Sequence, residues 1–251
     1  MPDAALAALA LPGFWWLAAT IAVAGIVRGF TGFGTALIFV PIAGFFLPAA
    51  QIVATVTMLG LASTAALLLP RAWHQGDRRE VGLLVLAALP TVPLGVAAME
   101  YLDGQTVRWI VAGIGTITLG ALMSGWRYLG AVSRPVLLAI GAAAGLIGGM
   151  TGLTGPVVIL FYLTGQGVAQ SVRANTILFL AALDVVIVAN LMIGGITTIN
   201  VVWLAALLAV PYFVTTIIGQ TLFCPSRERL YRHAALAVIA LSALTGLPIW
   251  E

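Results

Sequence analysis

The stretch Gly29-Phe30-Thr31-Gly32-Phe33-Gly34 interrupts an apolar region that runs from about residue 14 to residue 47. A second interruption, Gly148-Gly149-Met150-Thr151-Gly152-Leu153-Thr154-Gly155-Pro156, lies inside the apolar region 135–165. As a single helix, region 14–47 would be about 50 Å long, whereas membrane hydrocarbon is about 30 Å thick. Because glycine clusters and proline are where a helix opens, both regions are predicted to bend or fold back at these two breaks.

The composition around the breaks is that of a membrane protein. Of the 251 residues, 62% are hydrophobic and 8% are charged, against roughly 25% charged residues in a soluble domain. The mean hydropathy is +1.13. Cys224 is the single cysteine, which excludes a disulfide scaffold, and the apolar content excludes a disordered chain. The long apolar runs do not alternate as barrel strands do, so the predicted class is an all-α polytopic membrane protein.

Six uninterrupted apolar segments are predicted to span the membrane, because each approaches the about 20 residues that a crossing helix needs. They cover residues 51–70, 81–99, 106–123, 172–195, 200–222 and 231–249. The N-terminal Met1-Pro2-Asp3 lacks the positive segment of a signal peptide, so the first apolar segments are expected to be retained.

The two breaks belong to an internal repeat. Ala24–Phe33 aligns without a gap with Ala144–Leu153, and five of the ten aligned pairs are identical. A Gly-x-Thr-Gly sequence lies inside both segments, and internal repeats of this kind are typical of transporters. We therefore predict one transmembrane domain, residues 1–251, built from two homologous halves at about 14–126 and 134–249.

The arginines predict how the halves are oriented. If each broken region crossed the membrane once, the loop arginines would divide five to four between the two sides, against the positive-inside rule. If each region folds back or crosses twice, Arg108 alone lies opposite a set of eight: Arg71, Arg78, Arg79, Arg127, Arg134, Arg227, Arg229 and Arg232. This arrangement predicts inverted halves and periplasmic termini. Arms of about 15 residues, or ~22 Å, favour re-entrant hairpins, each followed by three transmembrane helices.

The breaks are the predicted substrate site. In the inverted arrangement they enter from opposite faces and meet near the midplane, where opened helices present N–H groups that suit an anion. Irregular backbone at this depth lines a cavity or is buried in protein. The predicted substrate-binding residues are Arg28, Gly29, Thr31, Gly32 and Gly34 in the first break, Gly149, Thr151, Gly152, Thr154 and Gly155 in the second, and Arg173 and Asn175 beyond it.

The same residues also fit purely structural roles. Glycines in membrane helices serve close packing, and threonines bond back to their own helix. Arg28 is a substrate ligand, a topogenic charge or a salt-bridge partner, and Arg173 also fits an interfacial snorkelling role. Asp184 is the one acid deep inside a predicted span, which indicates a proton carrier or a charge partner.

Other functions find little support in the sequence. His74 and His233 lack metal-ligand spacing, and the first glycine cluster has no phosphate-loop lysine. No acid/base or Ser/His pair in the spans suggests an enzyme, so no catalytic residue, metal or cofactor is predicted. Eleven scattered arginines, with a net charge of +3, do not form a nucleic-acid surface. The expected partners are the lipid bilayer and a small anion, and homo-oligomerisation is left open.

The motifs resemble those of one known family. Gly25 to Pro41, followed by Leu47-Pro48 and Ala54, resembles the first half of the TauE/SafE (TSUP) sulfite exporter family. The second break, followed by Arg173-Ala174-Asn175, resembles its second half. The chain departs from the family pattern at Phe33-Gly34-Thr35-Ala36, where a denser glycine run is usual.

The resemblance implies a multi-pass carrier of the bacterial inner membrane for sulfur-containing anions. Sulfite, sulfoacetate, thiosulfate, other organosulfonates and some carboxylates are the substrates that it suggests. The resulting hypothesis is a secondary transporter, in the exporting direction, that works by alternating access around a midplane site. It would be driven by the proton gradient or by the gradient of the anion itself. The alternatives are an anion channel and a carrier for a small carboxylate.

Overall fold

A computed structural model of the protein describes residues 2–124, 133–162, 169–222 and 228–246. Every regular element in these ranges is helical. The helices are α1 (Pro2–Leu9), α2 (Phe14–Thr31), α3 (Thr35–Ala43), α4 (Ala49–Ser63), α5 (Leu69–Gln75), α6 (Arg78–Tyr101), α7 (Gly104–Ser124), α8 (Arg134–Thr151), α9 (Pro156–Tyr162), α10 (Ala169–Ile193), α11 (Ile199–Leu222) and α12 (Glu228–Thr245). A π-helical turn, Thr64–Leu68, joins α4 to α5.

Six helical segments among the described residues are long and apolar enough to cross a membrane. They are Ala49–Ala66, Arg78–Tyr101, Gly104–Ser124, Arg134–Thr151, Ala174–Ile193 and Ile199–Leu222. Five of the six uninterrupted spans predicted from the sequence are thereby confirmed. For the predicted span 231–249, α12 provides the shorter apolar stretch Leu236–Thr245, and residues 247–249 lie outside the described ranges.

The outer surface of the helices is apolar. Trp15, Ile117 and Ile193 are 78%, 69% and 87% exposed, and many other large apolar side chains are also uncovered. A soluble monomer rarely exposes such continuous apolar surface, whereas lipid-facing helices require it. Together with the six spans, this surface makes the chain a multi-pass membrane protein.

The two broken regions have arms of unequal length. The long arms α2 and α8 each contain 18 residues, whereas α3 contains 9 and α9 contains 7. At 1.5 Å per residue the long arms reach about 27 Å and the short arms about 10–14 Å. In the first region, whose arms both lie inside the described residues, the expectation of two similar arms of about 15 residues is therefore wrong. In the second region α9 ends where the described range ends, so the expectation is not tested there.

In the first broken region the chain returns toward its starting point. The ring of Phe46, which follows α3, lies against Gly13, which precedes α2. The short arm α3 also packs against α2. A side chain at Gly13 would collide with the Phe46 ring, so a glycine permits this contact. The two ends of the region therefore lie side by side.

Two glycine-lined contacts join helices that are distant in sequence. We call them the α2–α11 seam and the α6–α8 seam. In the first, a Cβ on Gly29 would lie 2.7 Å from the Cα of Gly219. In the second, a Cβ on Gly149 would lie 3.2 Å from the backbone nitrogen of Val96, with the Val92 carbonyl closer still. Small residues let membrane helices approach closely and gain van der Waals contact, so both seams are tight.

A short N-terminal helix was not part of the sequence interpretation. This helix, α1, packs against α11, and Ala8 is buried in the same core as Phe14 and Leu17. With eight residues, α1 is far below the about 20 residues of a crossing helix.

Replacing Gly29 by alanine is expected to lower thermal stability, because the new Cβ meets the backbone of α11, which cannot move aside as a flexible side chain does. Overpacking of this kind costs about 1–3 kcal/mol. The measurement is the melting temperature of the purified protein in detergent, followed by intrinsic fluorescence.

Gly113→Ala is the matched control, because Gly113 lies on α7 with no atom within 4 Å of a built Cβ. Alanine has the higher helix propensity, by about 1 kcal/mol, so this variant is expected to melt at the same or a higher temperature. Equal melting temperatures for the two variants would contradict the packing role of Gly29.

Candidate functional site

The first break is closed by its own residues. Gly32 adopts a left-handed conformation with φ of 83°, and its N–H donates to the Arg28 carbonyl at 2.7 Å. The Thr31 hydroxyl donates to the Val27 carbonyl at 2.7 Å and accepts from the Phe33 N–H at 3.2 Å. The last turn of α2 is therefore capped without help from another helix.

The second break repeats this cap residue for residue. Gly152 has φ of 74°, and its N–H donates to the Gly148 carbonyl at 2.8 Å. The Thr151 hydroxyl donates to the Ile147 carbonyl at 2.7 Å and accepts from the Leu153 N–H at 3.2 Å. Each break therefore uses its glycine N–H and its threonine hydrogen internally, which leaves neither group available to an anion unless the cap opens.

Arg28 is buried where α2 meets the π-helical turn. Its side chain is 6% exposed, and Nη2 donates to the Thr64 hydroxyl at 2.6 Å. Within the described part of the chain, the buried Nε atom has no hydrogen-bond partner. Thr64 is the first residue of the π-helical turn, a form that often occurs at functional sites. Thr64 thus holds the Nη2 end of the guanidinium, and the Nε–H is left as a hydrogen-bond donor.

Asp184 is buried between α4 and the second break. One carboxylate oxygen lies against Gly60, where a built Cβ would be 2.6 Å from Oδ2. The Thr154 hydroxyl donates a hydrogen bond to this carboxylate, and the charge of Arg28 also acts on it. A larger residue at position 60 would displace the carboxylate. Of the predicted site residues, Arg28, Thr154 and Asp184 are therefore the ones that this region brings together.

A chain of hydroxyl groups adjoins Arg28 and Thr64. The hydroxyls of Thr35 and Tyr212 are 2.7 Å apart. Ser63 donates to the Gly60 carbonyl at 3.1 Å, and its oxygen lies 3.5 Å from the Tyr212 hydroxyl. The sequence interpretation did not include Ser63, Thr35 or Tyr212 in the site. Single hydroxyls in apolar helices give no periodic signal, although Tyr212 directly follows Pro211 within α11. We call Arg28, Ser63, Thr64, Asp184, Thr154, Thr35 and Tyr212 the buried polar cluster.

The two breaks contact α4 at different heights. Gly152 lies against Val53 and Val56, whereas Arg28 reaches Thr64 just beyond the end of α4. The positions of Val56 and Thr64 are about 12 Å apart along the helix axis. These two contacts therefore lie on either side of Gly60 on α4. Asp184, against Gly60 on α4, lies in the interval between them.

The structure places several other predicted site residues in structural contacts. Gly29 and Gly149 line the two seams described above. Asn175 is buried, and its Oδ1 accepts the Asp77 N–H at 2.7 Å while its Nδ2 donates to Glu80 at 3.4 Å. Asn175 therefore ties the start of α10 to the turn before α6, away from the buried polar cluster.

For three predicted site residues, the structure describes no contact with the buried polar cluster. Gly34 precedes α3 with φ of 99°, and a Cβ there would meet Val27 at 3.3 Å. Gly155 lies at the start of α9 beside Ile159. Arg173 is in α10, and its side chain lies outside the described residues.

Comparison with known proteins identifies the family. The family model described as sulfite exporter TauE/SafE matches residues 17–245, which include both breaks and all six candidate spans. The chain belongs to the TauE/SafE family. The resemblance seen in the sequence motifs is therefore confirmed, and the chain is a membrane protein of a transporter family.

One TauE/SafE relative carries a functional name. The "Probable sulfite/organosulfonate exporter TauE" of Cupriavidus necator strain H16 is 31% identical over 139 residues, which are 53% of this chain and 54% of the relative. The match thus spans about half the length of that protein. No solved structure matches the chain.

The candidate site of this TauE/SafE protein consists of charged and hydroxyl groups. Among the described residues, no group of three or more His, Cys, Asp or Glu side chains could hold a metal ion. The buried polar cluster instead offers one guanidinium, one carboxylate and several hydroxyls. This set suits a small oxyanion and a proton, because guanidinium and hydroxyl groups donate to oxygen and a carboxylate exchanges a proton.

Proposed function

We propose that this TauE/SafE protein is a secondary carrier that exports small sulfur-containing or organic oxyanions, such as sulfite, sulfoacetate or other sulfonates. The observation that carries the proposal is the buried Arg28 guanidinium, whose Nε has no hydrogen-bond partner among the described residues. An arginine at membrane depth is costly unless it is paired. Its planar fork fits the oxygens of sulfite, a sulfonate or a carboxylate, so a bound anion supplies the missing acceptor.

The proposed substrate contacts are side chains of the buried polar cluster. Arg28 binds the anion, and the hydroxyls of Thr64 and Thr154 are placed to donate to its oxygens after local rearrangement. This differs from a site built on the amides of Gly32 and Gly152, because both amides already donate within their own helix ends. Export as the direction, and sulfite or sulfonate as the substrate, rest on the name of the Cupriavidus relative.

The proposed topology is two inverted halves, residues 14–126 and 134–249, in the bacterial inner membrane with both termini periplasmic. Three observations support it. The ends of region 14–47 lie side by side at Gly13 and Phe46, as in a re-entrant hairpin. The repeat aligns α2 with α8, and Pro90 inside α6 corresponds to Pro211 inside α11. In the α2–α11 seam α2 therefore packs against the counterpart of α6, and in the α6–α8 seam α6 packs against the counterpart of α2. Asn175 joins the start of α10 to Asp77, two ends that this topology assigns to the cytoplasm.

Asp184 is the proposed coupling residue. Its buried carboxylate lies against Gly60 and accepts from Thr154, so a proton bound there changes the charge beside the anion site. In this scheme a protonated Asp184 carries no charge, so the anion binds Arg28 without a competing carboxylate. A deprotonated Asp184 competes with the anion for the same guanidinium, which favours release. Coupling to the proton gradient follows from that competition.

Arg28→Gln is expected to abolish substrate binding, because the neutral amide cannot replace a charged fork. At sulfite concentrations about 100 times the dissociation constant, binding adds about 2.7 kcal/mol to the stability of the native protein. That gain is expected to disappear in the variant, as measured by the melting temperature with and without sulfite or methanesulfonate. Arg79→Gln, at an exposed arginine of α6, is the control and keeps the gain. Intact binding in Arg28→Gln would exclude Arg28 as a ligand.

Asp184→Asn is expected to remove the pH dependence of net uptake into proteoliposomes while counterflow exchange continues, because the amide cannot carry a proton. Glu100→Gln, at an exposed acid near the end of α6, should leave the pH profile unchanged. An unaltered pH profile in Asp184→Asn would reject the coupling role. Saturable counterflow in the unmodified protein distinguishes a carrier from a channel, and ohmic single-channel currents would favour the channel.

Cysteines introduced at positions 76 and 198 test the topology, because the inverted arrangement places position 76 in the cytoplasm and position 198 in the periplasm. An impermeant maleimide added to intact cells is expected to label only the cysteine at position 198. Labelling of both positions from one side would refute the inverted halves. The Cys224→Ser background removes the native cysteine.

A further inference from the structure

A cavity of about 430 Å³ opens beside the N-terminal end of α7. Its wall is mostly apolar and includes Pro41, Leu47, Ile52, Val53, Val107 and Val111. Arg108, Gln105 and Thr151 add polar atoms to the same wall. Cavities of ~300–1,000 Å³ that combine apolar walls with a few polar groups are typical of sites for small organic molecules.

Arg108 is positioned by two neighbours in this cavity. Its guanidinium carbon lies 4.6 Å from the centre of the Phe45 ring, a cation–π contact. On another side, a Cβ built on Gly44 would be 3.4 Å from Nε, so a glycine leaves room for the side chain to lie along the wall. Stacking on an aromatic ring fixes the plane of a guanidinium, and guanidinium N–H groups donate to planar or tetrahedral anions.

The inner end of the cavity reaches the second break. Thr151 and Val53 belong to the cavity wall, and Gly152 packs against Val53 and Val56. Farther along α4, Gly60 contacts Asp184, and Arg28 contacts Thr64. The cavity, the second break and the buried polar cluster therefore follow one another along α4, separated by the packed backbone of the break.

We propose that this cavity is a second anion site, a vestibule that binds an organic anion with its sulfonate or carboxylate group on Arg108 and a short apolar body against Val53 and Val111. The inference rests on the proposed carrier function for its role in transport, but the binding itself does not depend on that function. The apolar walls suit a carbon-containing anion better than inorganic sulfite, which has no apolar surface to cover. Arg108 thereby acts as an entry or exit ligand separate from Arg28.

The test measures protection of a cysteine in the cavity wall. Val111→Cys in the Cys224→Ser background is labelled with a maleimide in nanodiscs of phosphatidylcholine, with butane-1-sulfonate as the probe. At a probe concentration ten times its dissociation constant, labelling is expected to slow about tenfold. Neutral butan-1-ol at equal concentration should not protect, and Arg108→Gln should remove the protection by the sulfonate.

Two controls keep the result specific. Tyr101→Cys, at a residue that is 90% exposed near the mouth but outside the cavity wall, should be labelled at the same rate with and without the probe. Arg79→Gln should leave the protection at position 111 intact. Ile52→Cys is a second reporter on the cavity wall if Val111→Cys lowers the yield of folded protein.

A lipid headgroup could supply the same anionic chemistry, and nanodiscs that contain phosphatidylglycerol distinguish it. Slow labelling in those nanodiscs, unaffected by butane-1-sulfonate, would overturn the proposal in favour of a lipid site. Equal protection by butan-1-ol, or protection that survives Arg108→Gln, would also overturn it. If the carrier function fails instead, sulfite counterflow is absent while the sulfonate still protects position 111, so the two failures are distinguishable.

Discussion

The architecture depends on the rule that backbone polar groups inside a membrane must be paired within the protein. Two helix breaks at membrane depth would violate it unless their ends were closed. Both are closed in the same way, by a left-handed glycine that donates to a carbonyl four residues earlier and by a threonine that donates to its own helix and accepts the next free N–H. Because the caps use these groups, the site that we propose is built from side chains.

Those side chains are distributed unequally over the aligned halves. Arg28 aligns with Gly148, Thr64 with Asp184, and Gly34 with Thr154. The backbone frame is thus repeated, while the cation lies in one half and the carboxylate with its hydroxyl partner in the other. The repeated frame therefore carries different side-chain chemistry in its two halves.

The sequence predicts the frame well, because its signals are local or compositional. Apolar length predicts the spans, and the Gly-x-Thr-Gly match predicts the breaks and their shared form. The length of each arm is not predictable in the same way, since hydropathy does not mark where a helix resumes. Likewise, nothing local shows that Gly29 faces α11 or that Asn175 binds Asp77, because those partners come from distant parts of the chain. Thr64 and Tyr212 were missed for the same reason.

The two glycine seams determine which parts of the molecule can move as units. Each seam joins one helix from each half, with backbone meeting backbone at Gly29 and Gly149. Such close contacts transmit displacement and resist sliding, so a motion that rocks one sequence half against the other would have to open both seams. The tightly packed units are instead mixed pairs, α2 with α11 and α6 with α8. A boundary drawn between these pairs crosses both halves of the sequence.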